Sequence, residues 1–307
     1  MRILIVGCGA VGSLFAAHLA KAGEAEIWAY DVWKEHTDAI RTQGLTLSGA
    51  AEITVKLHAT SDPKQLPHCD YGIVATKAIH TKQAIAQTAH AFDESSTVCS
   101  VQNGVGNEEI LAEHVKYIIR GTTFPAGHPI APGHIGYDIK GDTWIGPFEP
   151  TKTPMARVEE LAGLMTRSGM NTVALKDARG AQWTKLIFNA STNPVGALTL
   201  LHHGAATRFS PTGTLFNDLI AEGEAVAKAL GIELHGDPRQ LVQKGANAPG
   251  KHRASMLQDV LAKRQTEVDF MNGAIVKWGE QAHVPTPLNR ALWELIKGLE
   301  HSWIDPD

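Results

Sequence analysis

A glycine-rich turn near the N-terminus is the feature that most constrains how this chain can fold. Residues 2–6, RILIV, read as an aliphatic run that is typical of a parallel strand buried on both faces. Residues 7–12, GCGAVG, follow with the spacing GxGxxG, and a helix-forming stretch runs from residue 13 to 21 before Gly23. This order of strand, glycines and helix predicts a βαβ unit that binds a dinucleotide.

Each glycine of this loop meets a different physical requirement. Gly7 allows a tight turn out of the strand, Gly9 lets the backbone approach a pyrophosphate, and Gly12 lets the helix pack closely on the strand. The start of the helix presents free N–H groups and its positive dipole end to phosphates. We therefore predict cofactor contacts from Gly7, Cys8, Gly9, Ala10, Val11 and Gly12. The alternative is a glycine-rich turn in an unrelated α/β protein.

An acidic residue ends the second predicted strand, residues 25–30. Asp31 stands close to the offset of ~20 residues expected for the acid that accepts hydrogen bonds from the adenosine ribose. Its charge would repel a 2′-phosphate, which needs Arg or Lys, so Asp31 favours NADH over NADPH. The alternative is that Asp31 caps the helix that follows it.

Strands and helices alternate through the rest of the first half. The pattern predicts strands at 53–57, 71–76 and 96–101 and a helix at 81–91. Lys77 and Asn103 follow two of these strands, at the carboxyl edge where parallel sheets bind ligands. Taken singly, each of them also suits an ordinary loop, and Asn103 with Gly104 is a good turn dipeptide.

From residue 121 onward the pattern changes twice. We predict antiparallel strands at 121–146 that extend or edge the sheet, a helix at 155–168, a last strand at 172–175, and only helices from 178, with loops near 201–212 and 245–251. The predicted fold class is α/β, with a Rossmann-type, mainly parallel sheet followed by an all-α C-terminal domain. The expected domains are a dinucleotide-binding domain at 1–176 and a helical substrate and catalytic domain at 177–307.

A polar stripe crosses an otherwise apolar helix in the second half. Lys185, Asn189 and Asn193 lie four residues apart and therefore share one face. A half-buried stripe with one lysine predicts a substrate wall, whereas an ordinary solvated face is the alternative.

A later segment, 255–273, also reads as helical and carries Ser255 and Glu267. Glu267 could face inward, although sequence alone favours a solvated acid paired with Lys263 or Arg264.

Composition excludes several other classes of protein. The net charge is −4 without a run of Lys and Arg, which argues against a nucleic-acid partner or a polybasic membrane patch. The three cysteines show no CxxC spacing, so we expect neither disulfides nor zinc and favour the reducing cytoplasm. No apolar run reaches the ~18 residues that a membrane span needs. We predict no metal site and place the pair His202–His203 on the surface or in a loop.

Several motifs in the same order resemble the ketopantoate reductase (2-dehydropantoate 2-reductase) family over nearly the whole chain. They are GCGAVG at 7–12, ATKA at 75–78, QNGVG at 102–106, GTT at 121–123, WTKLIFNASTNP at 183–194, SMLQD at 255–259, TEVDFMNG at 266–273 and VPTP at 284–287.

The resemblance implies an NAD(P)H-dependent reduction of 2-dehydropantoate to D-pantoate, a step of pantothenate biosynthesis. Lys185 matches the family's catalytic lysine, which protonates the carbonyl oxygen, and Glu267 matches its glutamate that holds substrate and supports catalysis. Lys77 matches a lysine near the cofactor phosphates and ribose. The residues that match polar groups binding the substrate or orienting the nicotinamide are Asn103, Asn189, Asn193 and Ser255.

Two departures from the family keep alternatives open. NADPH-dependent members carry a basic residue where this chain has Asp31, which supports NADH, although Lys77 or Lys34 could still accommodate a phosphate. His252 stands where some members have an asparagine that touches substrate, so we include it among the substrate-binding candidates.

These departures leave a related small 2-keto acid as an alternative substrate. A dinucleotide-binding sensor without catalysis is a second alternative, which the intact set of polar residues disfavours. A homodimer is also left open.

Overall fold

A computed structural model describes residues 1–247 and 253–304. These residues form two compact units. The first unit contains residues 1–102 and 107–178, and the second contains residues 103–106 and the chain from Arg179 onward. The short segment Asn103–Gly106 thus belongs to the helical unit, although it lies among the strands in sequence.

The strands all lie in the first unit. They are β1 (Arg2–Val6), β2 (Glu26–Tyr30), β3 (Leu45–Gly49), β4 (Ile53–Val55), β5 (His58–Thr60), β6 (Tyr71–Val74), β7 (Thr97–Ser100), β8 (Tyr117–Thr123), β9 (Ala126–Ala131), β10 (His134–Ile139), β11 (Thr143–Pro147) and β12 (Thr172–Ala174).

The helices are distributed between both units. They are α1 (Ala10–Ala22), α2 (Lys34–Gln43), α3 (Thr81–Thr88), α4 (Asn107–Ala112), α5 (Met155–Arg167), α6 (Arg179–Thr199), α7 (His203–Arg208), α8 (Ser210–Ala229), α9 (Pro238–Ala246), α10 (Ser255–Leu261), α11 (Asn272–Gln281) and α12 (Pro287–Ile304). Short 3-10 helices cover Pro63–Gln65, Ala78–His80, Ala89–Ala91, Glu149–Thr151 and Val268–Phe270.

The main sheet has eight strands in the order β12-β11-β8-β7-β6-β1-β2-β5. The six neighbouring strands β8, β7, β6, β1, β2 and β5 are parallel to one another. Strand β11 is antiparallel to β8, and β12 is parallel to β11. Alternate side chains of β1 are buried in two different cores, with Ile3 and Ile5 on one face and Leu4 and Val6 on the other. The expected Rossmann-type sheet is confirmed, and its strand order reverses between β1 and β6, where such sheets bind ligands.

A second, four-stranded sheet has the order β4-β3-β10-β9 and corrects the expectation for residues 121–146. Only β8 and β11 join the main sheet, whereas β9 and β10 form a hairpin that pairs with β3. An alternating pattern fixes which face of a strand is buried but not which distant strand it pairs with, so the sequence did not reveal this sheet.

The second unit is helical, as expected, and is organised around α6. Trp183, Leu186 and Ile187 of α6 are buried in a core shared with Phe216 and Ile275. Pro194 lies inside α6 and lacks the amide hydrogen that would bond to the carbonyl of Ala190.

The side chain of Asn272 replaces that missing donor. Its Nδ2 donates to the Ala190 oxygen at 2.9 Å, and it also donates to Oδ1 of Asn289 at 3.0 Å. The chain therefore tolerates Pro194 within α6 because a neighbouring helix satisfies the exposed carbonyl.

The prediction of a loop near 201–212 is wrong, because α7 and the start of α8 occupy these residues. His203, expected on the surface, is buried, and its Nε2 lies 3.0 Å from the carbonyl oxygen of Val242. Its ring lies between Phe188 and Phe216, at centroid distances of 5.8 and 6.4 Å. Tertiary packing of this ring stabilises a helix too short to be stable alone.

Within residues 1–247 and 253–304, no helix is long and apolar enough to cross a membrane. In the same residues, no group of three or more His, Cys, Asp or Glu side chains could hold a metal ion.

Candidate active site

The glycine loop, residues 7–12, covers the turn after β1 and the first residues of α1. It contains two glycines that the fold requires and one that it does not. Gly7 has φ +86°, and a Cβ there would lie 2.5 Å from Cγ2 of Thr76. A Cβ on Gly12 would lie 1.9 Å from the carbonyl oxygen of Gly7. A Cβ on Gly9, in contrast, would meet no atom of the described residues within 4 Å. The space beside Gly9 is therefore where this loop fits a closely approaching phosphate group.

The first turn of α1 begins at this space. Gly9 is the N-cap and has no side chain to cap the helix, and the first turn carries no acidic residue. The Cys8 side chain is buried, and burial raises the pKa of its thiol to about 12. The loop can therefore offer an anion its backbone N–H groups and the helix dipole, but not a thiolate.

Asp31 follows β2 at the same edge of the sheet and is half-buried. Its Oδ1 accepts a hydrogen bond from the backbone N–H of Trp33 at 2.9 Å. Trp33 is the N-cap of α2, so Asp31 fixes the approach to the helix without being its formal cap. One carboxylate oxygen has this structural partner, and the carboxylate still stands where a ribose acid is expected.

Lys34 is the basic residue nearest to Asp31 along the chain. It forms an ion pair with Asp38 one helical turn later, while its own side chain is 70% exposed. Lys77 is partly buried and lies directly before the 3-10 helix Ala78–His80, three residues after β6. Lys34 and Lys77 are therefore the two lysines to compare as contacts for a 2′-phosphate.

Gln102, the first residue of QNGVG, has a structural role that the sequence does not predict. It follows β7 and is buried, and its Nε2 lies 3.0 Å from both the carbonyl oxygen and Oγ1 of Thr76 and 2.7 Å from Oγ1 of Thr81. Gln102 therefore ties the end of β7 to the end of β6. A polar residue directly after the predicted strand 96–101, at the edge where parallel sheets bind ligands, was the sequence signal that could have found it.

Three of the predicted site residues meet in the second unit. Lys185 donates a hydrogen bond from Nζ to Oδ1 of Asn103 at 2.8 Å, and Asn103 donates from Nδ2 to Oε2 of Glu267 at 3.3 Å. The two ends of one amide thus face a cation and an anion, each with the complementary polarity. We call this arrangement the lysine site.

The backbone around Asn103 explains its orientation. Gly104 has φ +83°, and a Cβ there would lie 2.3 Å from the carbonyl oxygen of Phe270. The N–H of Val105 donates to the same oxygen at 3.1 Å. Glycine at 104 therefore lets the loop lie directly on the 3-10 helix that follows Glu267, which brings the Asn103 amide to that carboxylate.

The electrostatics of the lysine site suit proton transfer. Burial lowers the pKa of Lys185 from 10.5 to about 8, and the Glu267 carboxylate opposes this change. An ammonium group with such a pKa is still largely protonated at neutral pH but releases its proton more readily than an exposed lysine.

The segment around Glu267 differs from the predicted helix. The chain leaves α10 after Leu261 and reaches Glu267 through non-helical backbone. Glu267 is only 7% exposed, so the solvated alternative is wrong, and Arg264 pairs with Asp259 instead. A buried acid is stable here because Asn103 and the nearby cation compensate for its lost hydration.

The remaining predicted residues are buried to different degrees. Asn189 and Asn193 continue the face of Lys185 along α6 and are 7% and 6% exposed. Asn193 donates from Nδ2 to the sulfur of Met271 at 3.6 Å. Ser255 is exposed at the start of α10, which packs on α6. His252 lies outside the described residues.

Comparison with family models gives two matches along the chain. The model described as "Ketopantoate reductase PanE/ApbA" matches residues 3–150, and "Ketopantoate reductase PanE/ApbA C terminal" matches residues 177–300. A 2-dehydropantoate 2-reductase of Archaeoglobus fulgidus is 33% identical over 299 residues, which cover 97% of this chain and 98% of the relative. The corresponding protein of Pyrococcus abyssi is also 33% identical and is covered to 98%, as is this chain.

Solved structures agree with these sequence matches. A PanE/ApbA family ketopantoate reductase from Ralstonia eutropha JMP134 is 29% identical, with a TM-score of 0.88 over 98% of this chain and 99% of its own. D-mandelate dehydrogenase, solved in a ternary complex with NADH and anilino(oxo)acetate, is 26% identical, with a TM-score of 0.89 over the same shares.

Proposed function

This chain belongs to the ketopantoate reductase family, and we propose that it reduces 2-dehydropantoate to D-pantoate with NADH. The observation that carries the proposal is the hydrogen-bonded series of Lys185, Asn103 and Glu267. When bound, the nicotinamide cofactor supplies the hydride.

In this proposal Lys185 is the general acid. Negative charge develops on the carbonyl oxygen as the ketone is reduced, and an ammonium group stabilises that charge and then transfers a proton to it. The lowered pKa of Lys185, about 8, favours this transfer at neutral pH. Asn103 accepts one N–H of the ammonium and so limits the directions in which Lys185 can donate the others.

We assign two roles to the other polar residues of the proposed site, balancing the charge of Lys185 and binding the substrate. Glu267 would repel the carboxylate of a keto acid, so we assign it to a hydroxyl group of the substrate and to the charge balance of Lys185. Asn189 and Asn193 offer amide groups to the substrate, and Ser255 and His252 complete the proposed substrate-binding set.

The cofactor proposal rests on the residues of the first unit. The backbone of residues 7–12, with the open space at Gly9, would hold the pyrophosphate. Asp31 would accept the ribose hydroxyls, and Asp38 partly offsets the charge of Lys34, a cation that could attract a 2′-phosphate. Lys77 would lie near the phosphates and ribose. NADH is therefore preferred, and NADPH is the weaker alternative.

Two organisational predictions accompany this function. We propose residues 1–176 as the dinucleotide-binding domain and 177–307 as the substrate and catalytic domain. The homodimer stays a prediction, which light scattering of the purified protein would test, and so does the cytoplasmic location.

A second candidate function is the reduction of another 2-keto acid. It is favoured by the similarity to D-mandelate dehydrogenase, which is 26% identical and covered to 99%. Phenylglyoxylate, the keto acid that corresponds to mandelate, is its natural probe.

The test is the consumption of NADH and NADPH in parallel assays with 2-dehydropantoate and with phenylglyoxylate. We expect the highest kcat/KM for 2-dehydropantoate with NADH. Faster reaction with NADPH would contradict the role of Asp31 but not the reaction. Faster reaction with phenylglyoxylate would replace the substrate, and cofactor binding without turnover of any 2-keto acid would support a sensor.

A further inference from the structure

The last turns of α12 hold the short segment that carries Glu267. Glu300 is 3% exposed, and its Oε1 accepts hydrogen bonds from the backbone N–H and the hydroxyl of Thr266, at 2.7 and 2.6 Å. Thr266 directly precedes Glu267 and is itself buried. Its Oγ1 also accepts from the N–H of Val268, at 3.2 Å. The backbone is thus fixed on both sides of Glu267.

A second contact from the same helix holds the other end of the segment. Asp269 accepts from Nε1 of Trp293 at 2.7 Å and from Nζ of Lys297 at 3.0 Å. Lys297 also lies 3.2 Å from Oε2 of Glu300, so one ammonium joins the two carboxylates. We call Trp293, Lys297 and Glu300, with their partners Thr266 and Asp269, the clamp.

The clamp uses charged groups where apolar packing would hold a helix equally well. A buried carboxylate is costly unless it is paired and hydrogen-bonded, and replacing such a pair by apolar residues is often neutral or stabilising. The clamp adds a fixed orientation of the segment, because each oxygen of Glu300 has its own partner, Thr266 for one and Lys297 for the other. That precision is useful where the neighbouring side chain must contact a particular atom.

We propose that Glu300 and Lys297 are positioning residues that hold the Glu267 carboxylate in hydrogen-bond contact with Asn103. Neither residue touches the reacting groups in this account, because both act through the backbone of residues 266–269. The charged groups that contact the segment include Glu300, Lys297 and its own Asp269, with Lys185 beyond Asn103. The expected effect on turnover rests on the proposed function, whereas the expected effect on the position of the Glu267 carboxylate does not.

The decisive variant is Glu300→Gln in the full-length protein. Its amide oxygen can still accept from Thr266, but its NH₂ group then faces Lys297. Lys297 therefore no longer links the side chain at residue 300 to the Asp269 carboxylate. The matched control is Glu294→Gln on the same helix, where the side chain is 65% exposed and lies 3.9 Å from Arg290. Thr266→Val is a second variant of similar size, in case Glu300→Gln does not fold. It removes the hydroxyl contacts to Glu300 and to the Val268 N–H but keeps the backbone contact to Glu300.

The first readout is the pH dependence of Lys185 modification by an amine-reactive reagent, measured by mass spectrometry without substrate. A displaced Glu267 no longer opposes the effect of burial, so the apparent pKa of Lys185 should fall by roughly half a unit to one unit in Glu300→Gln. Glu294→Gln should leave it unchanged. This measurement does not depend on which keto acid the enzyme reduces.

The second readout is steady-state kinetics with 2-dehydropantoate. We expect kcat/KM to fall about tenfold in Glu300→Gln, less than the ~100-fold that a displacement of 1 Å can cause. Loss of thermal stability with unchanged Lys185 titration and unchanged kcat/KM, in either clamp variant, would overturn the proposal. Inactivity of the wild-type protein would contradict the proposed function instead, while the Lys185 titration would still test the clamp.

Discussion

The glycine loop uses consecutive residues and acts through its backbone, whereas the lysine site joins side chains from three distant segments. Asn103 is separated from Lys185 by 82 positions and from Glu267 by 164. The loop geometry follows from what glycine permits at residues 7 and 12. The lysine site depends on packing within the helical unit, to which Asn103 belongs although it follows β7 in the sequence.

Substitutions in the two regions should therefore have different effects. In the glycine loop, an added methyl group changes space and therefore affects folding or cofactor binding. In the lysine site, an altered side chain changes charge and proton transfer and therefore affects turnover. Single substitutions can separate these two outcomes.

Lys185→Ala should have the largest effect. Removal of a general acid reduces the rate by about 10²–10⁴-fold, so kcat should fall by roughly 10³-fold while the Kd for NADH changes little. Steady-state kinetics and calorimetric titration of the cofactor measure the two quantities. Lys277→Ala, an exposed lysine on α11, is the control. An unchanged kcat would remove Lys185 from the mechanism.

Gly9→Ala and Gly12→Ala should separate binding from folding within one loop. The methyl group at residue 9 meets no described protein atom, so stability should be retained while NADH binding weakens. A steric cost of about 1–3 kcal/mol corresponds to roughly 5- to 150-fold in Kd. The methyl group at residue 12 would collide with the Gly7 carbonyl, so that variant should lose thermal stability. Equal loss of stability in both variants would contradict the assignment of Gly9 to ligand binding.

Substitution of Asp31 should change which cofactor is preferred. Asp31→Asn retains an acceptor for the Trp33 N–H and removes the charge, so the ratio of kcat/KM for NADH to that for NADPH should fall by about tenfold. Asp31→Arg should lower the ratio further. If neither variant changes the ratio, Asp31 serves only to fix the start of α2.

Glu267→Gln should have a smaller but diagnostic effect on pH dependence. The Glu267 carboxylate raises the pKa of Lys185 against the effect of burial, so the neutral amide should lower that pKa by roughly one unit. The decline of kcat/KM at alkaline pH should then begin at lower pH than in the wild-type protein. An identical alkaline limb in both proteins would show that Glu267 does not influence Lys185.

The same contrast explains how much could be predicted from the sequence. The strand, loop and helix at residues 2–23 were predicted because aliphatic runs and glycine spacing are local signals, and Gly23 ends α1 in the left-handed region as expected. The common face of Lys185, Asn189 and Asn193 was predicted because helical spacing is also local.

The features that were missed depend on contacts between distant residues. The burial of Glu267 depends on Asn103 and on the clamp from α12, and the burial of His203 depends on Phe188 and Phe216. The separate sheet of β9 and β10 depends on pairing with β3. None of these partners can be identified from the spacing of residues within one segment.

The most direct test of the central claim is kcat/KM for 2-dehydropantoate as a function of pH, measured with NADH on the wild-type protein. Because the proton donor must carry its proton, and its pKa is lowered to about 8, we predict a constant value near neutral pH and a decline above pH 8. Constant activity well beyond pH 8, in a protein that remains folded, would contradict Lys185 as the general acid.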